Sequence, residues 1–221
     1  MVKKRYTCIL TTRQNSQSHY SIILKTMPKQ LLIVFVKNLT LGKVKTRLAK
    51  TIGNDRAFKI YEELVLITEN ATANVKFEKH IYFSNNVINS KWITDKKFVQ
   101  TGEDIGERML NAFRDGFTKG FEQIILIGSD LPNISEQIIN SGFEALKHSE
   151  TVFGPAQDGG YYLVGMNRLS STLFLNKPWS QPSLLKDTLS EINDYSLLHE
   201  LNDIDTIEDL RESFLNTQFN F

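Results

Sequence analysis

Short apolar runs alternate with amphipathic helical patterns along almost the whole chain, and this alternation is the strongest constraint on its fold. Residues 31–37, Leu-Leu-Ile-Val-Phe-Val-Lys, are rich in β-branched side chains, as expected of a strand buried on both faces. Residues 55–73 instead repeat apolar side chains at a spacing of three to four, which indicates a helix with one buried face. The alternation predicts an α/β protein, a three-layer α/β/α sandwich with a mainly parallel sheet.

The same patterns predict the remaining elements. Further strands are expected at residues 80–84, 97–100, 123–127, 151–154, 161–166 and 196–201. Further helices are expected at residues 45–51, from about 105 through Phe117, and at 136–147, 183–192 and 207–214.

The first 26 residues differ from the rest of the chain in charge. They contain five basic residues and no acidic one, whereas residues 27–221 carry 21 basic and 25 acidic residues, a net charge of −4. We expect residues 1–26 to be an extension, either disordered or upstream of a functional start at Met27; a targeting peptide is the third interpretation. Residues 27–221 are expected to form one domain, whose mild acidity does not indicate nucleic-acid binding.

Several classes of protein are excluded by composition. No apolar run approaches the roughly 20 residues of a membrane-spanning helix. The single cysteine, Cys8, excludes an intrachain disulfide and a cysteine-based zinc cluster, and the four histidines lack metal-ligand spacing. The reducing cytoplasm is therefore the expected compartment.

One buried strand delivers a single carboxylate, Asp130, to its carboxyl end. The apolar run 123–127 is followed by Gly128, Ser129 and Asp130, and Pro132 blocks any continuation. Ligands of open α/β sheets bind at this edge, and a carboxylate there suits Mg²⁺ or Mn²⁺, which prefer oxygen ligands. The alternative is that Asp130 caps the next helix or braces a turn.

A basic segment follows the first strand and opens a helix. Residues 42–48, Gly-Lys-Val-Lys-Thr-Arg-Leu, would place backbone N–H groups, Lys45 and Arg47 where they favour an anion. The segment is not a P-loop, because Val44 stands where that motif requires glycine. An ordinary basic helix start is the alternative. The candidate substrate-binding residues here are Gly42, Lys45, Thr46 and Arg47.

A glycine-rich segment, residues 154–162, has the sequence Gly-Pro-Ala-Gln-Asp-Gly-Gly-Tyr-Tyr. Asp-Gly-Gly is a tight-turn signal, so a plain hairpin is one interpretation. Two glycines also let a backbone approach a ligand closely, in which case Asp158 would present a carboxylate and Tyr161 or Tyr162 a stacking surface. The candidate residues here are Asp158, Gly159, Gly160 and Tyr161.

Two further segments have both a structural and a functional interpretation. Just before the last helix, either Asp205 or Thr206 would cap that helix, or else Asp205 would act as a second metal ligand. Residues 101–109, Thr-Gly-Glu-Asp-Ile-Gly-Glu-Arg-Met, indicate a capped helix start with an acidic first turn, or else contribute Gly106 and Arg108 to substrate binding. The pair Pro178-Trp179 is interpreted as packing.

Taken together, these segments resemble a known family. In order they are Phe-Val-Lys, Gly-Lys-Val-Lys-Thr-Arg-Leu-Ala, Gly-Glu-Asp-Ile-Gly-Glu-Arg-Met, Ile-Gly-Ser-Asp-Leu-Pro, Gly-Pro-Ala-Gln-Asp-Gly-Gly-Tyr-Tyr-Leu, Pro-Trp-Ser and Asp-Ile-Asp-Thr. From about Leu31 to Leu210 the chain is similar to provisionally assigned bacterial glycosyltransferases with the nucleotide-diphospho-sugar transferase fold. The Gly-x-x-Lys-Thr-Arg-Leu element also resembles the guanylyltransferases of deazaflavin- and molybdenum-cofactor synthesis.

The resemblance implies a Rossmann-like, glycosyltransferase-A-type domain that binds a nucleotide. The chain departs from the family in two places. Residues 38–41 are Asn-Leu-Thr-Leu where the family often has prolines, and Ser129-Asp130 replaces an Asp-x-Asp triad at the usual metal position.

Three functional hypotheses follow from the sequence. In the first, a glycosyltransferase, Asp130 and Asp205 hold a divalent cation on a nucleotide sugar, Lys45 and Arg47 neutralise the leaving group, and Asp158 contacts the sugar or acts as base. In the second, the same groups catalyse nucleotidyl transfer and release pyrophosphate from a nucleoside triphosphate. The third is a non-catalytic nucleotide-binding protein. The sequence leaves open the base, the sugar, the acceptor, the stereochemistry and the oligomeric state.

Overall fold

A computed structural model describes residues 28–220 of the chain. The expected extension, residues 1–26, and the proposed start at Met27 lie outside the described residues. The strands are β1 (Gln30–Val36), β2 (Glu78–Phe83), β3 (Lys96–Val99), β4 (Gln123–Ile127), β5 (Thr151–Pro155), β6 (Tyr161–Met166) and β7 (Tyr195–Leu197). The helices are α1 (Thr46–Ile52), α2 (Asn54–Ala71), α3 (Ile105–Thr118), α4 (Glu136–Ala145), α5 (Leu184–Ser190), α6 (Ile207–Glu212) and α7 (Leu215–Phe219).

The described strands form one sheet in the order β3-β2-β1-β4-β6-β5-β7. All neighbouring pairs run parallel except β4–β6 and β5–β6, because β6 returns from β5 through a tight hairpin. The sheet is therefore mainly parallel, as predicted. The strand order reverses direction between β1 and β4, and such a switch point opens a crevice at the carboxyl ends of the strands.

Both faces of the sheet are covered by helices, which confirms the three-layer α/β/α sandwich. Along β1, side chains alternate between two hydrophobic clusters: Val34 packs with α1, α2, α4, α6 and α7, and Ile33 with α3 and α5. Both side chains are fully buried, and each burial contributes about 1.5–3 kcal/mol. Among residues 28–220, no helix is long and apolar enough to cross a membrane.

The carboxyl-terminal region departs most from the sequence prediction. The strand expected at residues 196–201 is only the three-residue β7, after which one isolated bridge joins Leu201 to Ala156. The helix expected at residues 207–214 ends at Glu212, because Ser213 is extended with φ −86° and ψ 158°, and α7 follows as a separate element.

Candidate active site

A cavity of about 440 Å³ opens at the carboxyl ends of β1 and β4. We call it the first cavity. Its floor includes Ser129, whose hydroxyl lies 2.9 Å from the hydroxyl of Tyr61 on α2. The Tyr61 hydroxyl also accepts the backbone N–H of Lys37 at 2.9 Å, so the loops that follow β1 and β4 are tied to one helix. These hydrogen bonds therefore hold the bottom of the cavity in place at the switch point of the sheet.

Three carboxylates lie close together beside this cavity, and two of them, Asp130 and Asp205, line it. Asp130 follows β4, and Asp203 and Asp205 precede α6; one oxygen from each lies within 4.8 Å of the others. Ile204, only 1% exposed, anchors the second loop beneath the first, and its N–H donates to the Asp130 carbonyl at 3.4 Å. Burial, followed by the Asp130 charge, raises the pKa of Asp203 to about 7. Such a set of hard oxygen donors fits a divalent cation.

Neither predicted metal ligand caps a helix, whereas the alternative that Thr206 caps the last predicted helix is confirmed. Ser135 caps α4, its side chain accepting the N–H of Ile138, so Asp130 is left free of that role. Thr206 caps α6 in a capping box with Asp209, so Asp205 is not the cap residue.

Lys45 lies among the carboxylates and is almost completely buried. Its Nζ donates to Asp205 Oδ1 at 2.9 Å and to Asp130 Oδ2 at 3.2 Å, and its side chain is 5% exposed. Burial lowers the pKa of Lys45, but the charges of Asp130 and Asp205 outweigh it and raise that pKa above its ordinary value. Lys45 also has φ 44°, a left-handed conformation that costs a non-glycine residue about 1–2 kcal/mol. Lys45 thus combines a strained backbone with an ammonium group that offsets part of the negative charge of the acidic cluster.

Three other cationic side chains line the first cavity: Lys37, Arg47 and Arg108. Arg47 is exposed, with Nη1 3.4 Å from Asp205 Oδ2, and Arg108 donates from Nε to the carbonyl of Gly102 at 3.0 Å. Lys37 reaches the cavity from the end of β1. No described carboxylate forms an ion pair with the Arg108 or Lys37 side chain. These groups can receive an anion beside the acidic cluster.

A smaller cavity of about 270 Å³ adjoins the first and shares Asp130, Gly128, Phe35 and Ile105 with it. We call it the second cavity. Asp158, Tyr161, Tyr162, Trp179 and Asp203 also line it. Asp130 is therefore the one carboxylate among the residues that both cavities share.

The turn that carries Asp158 is the predicted hairpin, since β5 and β6 pair antiparallel on either side of it. Asp158 Oδ1 accepts the Gly160 N–H at 2.8 Å. Gly159 has φ 86°, and a Cβ there would lie 2.0 Å from the carbonyl oxygen of Pro182. The turn is thus both a hairpin and a wall of a cavity, so the two interpretations of this segment are compatible.

The structure brings most of the predicted site residues to the two cavities. Those lining the first are Lys45, Thr46, Arg47, Arg108, Asp130 and Asp205. Those lining the second are Asp130, Asp158, Gly160 and Tyr161. Gly42, Gly106 and Gly159 line neither cavity. A Cβ at Gly106 would lie 2.3 Å from the Phe174 carbonyl oxygen and 2.6 Å from the Trp179 ring, so packing alone requires this glycine.

Sequence reasoning missed three residues of the cavities. Asp203 is two residues before Asp205, and this spacing in an extended loop was the available signal for a second carboxylate on the same side. Lys37 ends the first apolar run, and the sequence pattern gave no sign that its side chain lines the first cavity. Trp179, interpreted as packing, does pack against Gly106, but it also lines the second cavity.

Comparison with known proteins places the chain among bacterial proteins of unassigned activity. The profile of the family described as "Uncharacterized protein conserved in bacteria (DUF2064)" matches residues 68–181, just over half of the chain. A Desulfovibrio desulfuricans protein, provisionally named a nucleotide-diphospho-sugar transferase, is 29% identical with a TM-score of 0.79, over 86% of this chain and 88% of that one. The comparison with curated proteins found no match.

Two more distant structures share the fold. CMP:2-keto-3-deoxy-manno-octonic acid synthetase, solved with CTP, is 9% identical with a TM-score of 0.56, over 87% of this chain and all of that one. A Mycobacterium tuberculosis protein solved in complex with manganese is 13% identical with a TM-score of 0.52, over 83% of this chain and 97% of that one. The nucleotide-diphospho-sugar transferase fold is confirmed, and the transferase class expected from the sequence agrees with the Desulfovibrio desulfuricans protein and with the synthetase.

Proposed function

We propose that this chain, which belongs to the bacterial DUF2064 family, is a glycosyltransferase that uses a nucleotide-sugar donor and a divalent cation. One observation carries the proposal: Asp130 and Asp205 of the acidic cluster line the same cavity as four cationic side chains, at the switch point of the sheet. A diphosphate with a bound cation requires both kinds of group, because its oxygens are shared between metal and positively charged side chains.

The acidic cluster fits Mg²⁺ or Mn²⁺. Asp130, Asp203 and Asp205 offer three carboxylate oxygens, the donor type that both ions prefer, and they come from two loops joined by a backbone hydrogen bond. A bound cation would supply positive charge to the diphosphate as it leaves. The manganese complex of the Mycobacterium tuberculosis neighbour supports this choice of ion.

The side chains of the first cavity would bind the donor. Arg47, Arg108 and Lys37 lie on the walls around the cluster, where they would bind the diphosphate and stabilise the charge that grows on it. Lys45, held between Asp130 and Asp205, would contribute its charge from within the cluster.

The acceptor would approach from the second cavity, which shares Asp130 with the first. Its hydroxyl oxygen forms a bond to the anomeric carbon, and the bond from that carbon to the diphosphate oxygen breaks. The electron pair leaves with the nucleoside diphosphate, and the hydroxyl proton passes to the Asp158 carboxylate, which faces this cavity.

Nucleotidyl transfer is the second candidate function. The structure of the synthetase bound to CTP shows that this fold accommodates a nucleoside triphosphate, and the cationic wall of the first cavity would suit one. The two activities differ in the leaving group, which is nucleoside diphosphate in one and pyrophosphate in the other. A non-catalytic nucleotide-binding protein would release neither.

Binding of metal and nucleotide can be tested by thermal unfolding with MnCl₂, alone and with uridine, cytidine or guanosine diphosphate. The melting temperature should rise with Mn²⁺ and further with nucleotide, because ligands of the native state stabilise it. Asp130→Asn should abolish the Mn²⁺ response and leave the apo protein folded. Asp194→Asn, an exposed change outside both cavities, is the control. If Mn²⁺ raised the melting temperature of Asp130→Asn as much as that of the wild type, Asp130 would not be a metal ligand.

A further inference from the structure

The two cavities differ sharply in charge. The first is lined by four cationic side chains, Lys37, Lys45, Arg47 and Arg108, and by only two carboxylates, those of Asp130 and Asp205. Among the described residues that line the second, none is a lysine, an arginine or a histidine, whereas three are aspartates. These are Asp130, Asp158 and Asp203. Anionic groups should therefore be accepted in the first cavity and repelled from the second.

A bound divalent cation would not reverse this asymmetry. It would offset the charges of Asp130 and Asp203, which belong to the acidic cluster. Asp158 lies on the hairpin turn outside that cluster, and its nearest hydrogen-bond donor is the neutral N–H of Gly160 at 2.8 Å. With the cation bound beside Asp130 and Asp203, Asp158 would still present an anion on another part of the cavity lining, and no described lysine, arginine or histidine lines the cavity to bind a phosphate or a carboxylate.

The rest of the second cavity suits a compact hydroxylated ring. Tyr161, Tyr162 and Trp179 contribute aromatic surface, which binds the apolar face of a sugar ring. Ser180 and Gln181 add neutral donors and acceptors for hydroxyl groups. The volume of about 270 Å³ is smaller than the usual range for drug-sized ligands and suits one small ring.

The walls of the second cavity are fixed before any ligand arrives. The N–H of Leu185 donates to the Gly159 carbonyl at 2.9 Å, which joins the hairpin turn to the start of α5. Trp179 packs against the position of Gly106 on α3. A preformed cavity loses little conformational entropy when a ligand binds, so charge and shape decide which ligand it accepts.

We infer that the acceptor of this transferase is an uncharged, hydroxyl-bearing ring of about monosaccharide size, and that phosphorylated and carboxylated acceptors are rejected. The inference rests on the proposed function and deepens it, since it assigns the chemistry of the second substrate. The matched test ligands are free hexoses and pentoses, their phosphate monoesters and the corresponding amino sugars.

The first arm of the test measures the charge of the cavity without any acceptor. Trp179 lines the second cavity, whereas the other tryptophan, Trp92, is 3% exposed and contributes little to quenching in solution. Caesium should quench Trp179 fluorescence more strongly than iodide in the wild type. Asp158→Lys should reverse that order, Asp158→Asn should reduce the difference, and Asp194→Lys should leave it unchanged.

The second arm measures acceptor binding by saturation-transfer NMR, with diamagnetic Mg²⁺ and a nucleoside diphosphate present. At least one free sugar should bind about tenfold more tightly than its phosphate monoester, and Asp158→Lys should remove that preference. Trp179→Ala should weaken sugar binding about tenfold and leave nucleotide binding unchanged.

Three results would overturn the inference: equal or tighter binding of the phosphate monoester, binding of amino sugars alone, or binding of no ring in the panel. If nucleotide binding persists in the same samples, only the acceptor assignment has failed. If nucleotide binding is also absent, the proposed function has failed.

Discussion

Lys45→Met isolates the part played by the ammonium group within the acidic cluster. Methionine keeps the buried aliphatic stem and removes the two charge-assisted hydrogen bonds, to Asp205 at 2.9 Å and Asp130 at 3.2 Å. Because the two carboxylates are 37% and 45% exposed, solvent screens these bonds. We therefore expect the apo protein to lose only about 1–2 kcal/mol, below the range of a fully buried pair. For a chain of this length that loss lowers the melting temperature by about 2–8 °C.

The same substitution should strengthen metal binding. Without the ammonium group, the three carboxylates no longer have an internal cation that competes with Mn²⁺. A tenfold gain in Mn²⁺ affinity would add about 1.4 kcal/mol to the stabilisation by saturating Mn²⁺. Differential scanning calorimetry in EDTA and in MnCl₂ measures both effects, with Lys50→Met, an exposed change on the same helix, as the control. Equal melting temperatures of Lys45→Met and the wild type in both buffers would refute the reasoning.

Three further substitutions test other parts of the structure. Arg108→Gln should weaken binding of a nucleoside diphosphate about tenfold and leave the nucleoside unaffected, as titration calorimetry would show. Gly106→Ala should cost about 1–3 kcal/mol in urea unfolding, because its Cβ would lie 2.3 Å from the Phe174 carbonyl oxygen. Burial lowers the pKa of His80, so the unfolded chain takes up the proton first and stability falls as pH drops below about 6.5. The charged groups that face His80 are Glu78, Lys96 and Lys119. His80→Gln should lose less stability than the wild type between pH 7 and pH 5; an equal loss would exclude His80 as the cause.

The sheet and the position of Asp130 could be predicted because their signals are local. The β4 run, residues 123–127, is the predicted strand residue for residue, and all five of its side chains are buried. A strand that ends in Gly-Ser-Asp before proline can only present Asp130 near its carboxyl end. The break between α6 and α7 depends on one extended residue, Ser213, which the helical pattern did not reveal.

The composition of the acidic cluster could not be predicted from local patterns. Asp203 and Asp130 are far apart in sequence, and they meet because the buried side chain of Ile204 holds one loop beneath the other. The same tertiary contact places Asp205 against Lys45, so the lysine expected to bind phosphate is paired with carboxylates. Neither the meeting of Asp203 with Asp130 nor the pairing of Asp205 with Lys45 can be predicted from the spacing of residues along the chain.

Sugar transfer can be followed by phosphorus NMR of the products formed from nucleotide sugars. The protein, diamagnetic Mg²⁺ and a panel of nucleotide sugars would be incubated with neutral sugar acceptors, with nucleoside triphosphates in parallel samples. Nucleoside diphosphate should accumulate from one donor, and neither the Asp130→Asn variant nor a sample with EDTA should release it. Release of pyrophosphate from a triphosphate, with every nucleotide sugar left intact, would contradict the account.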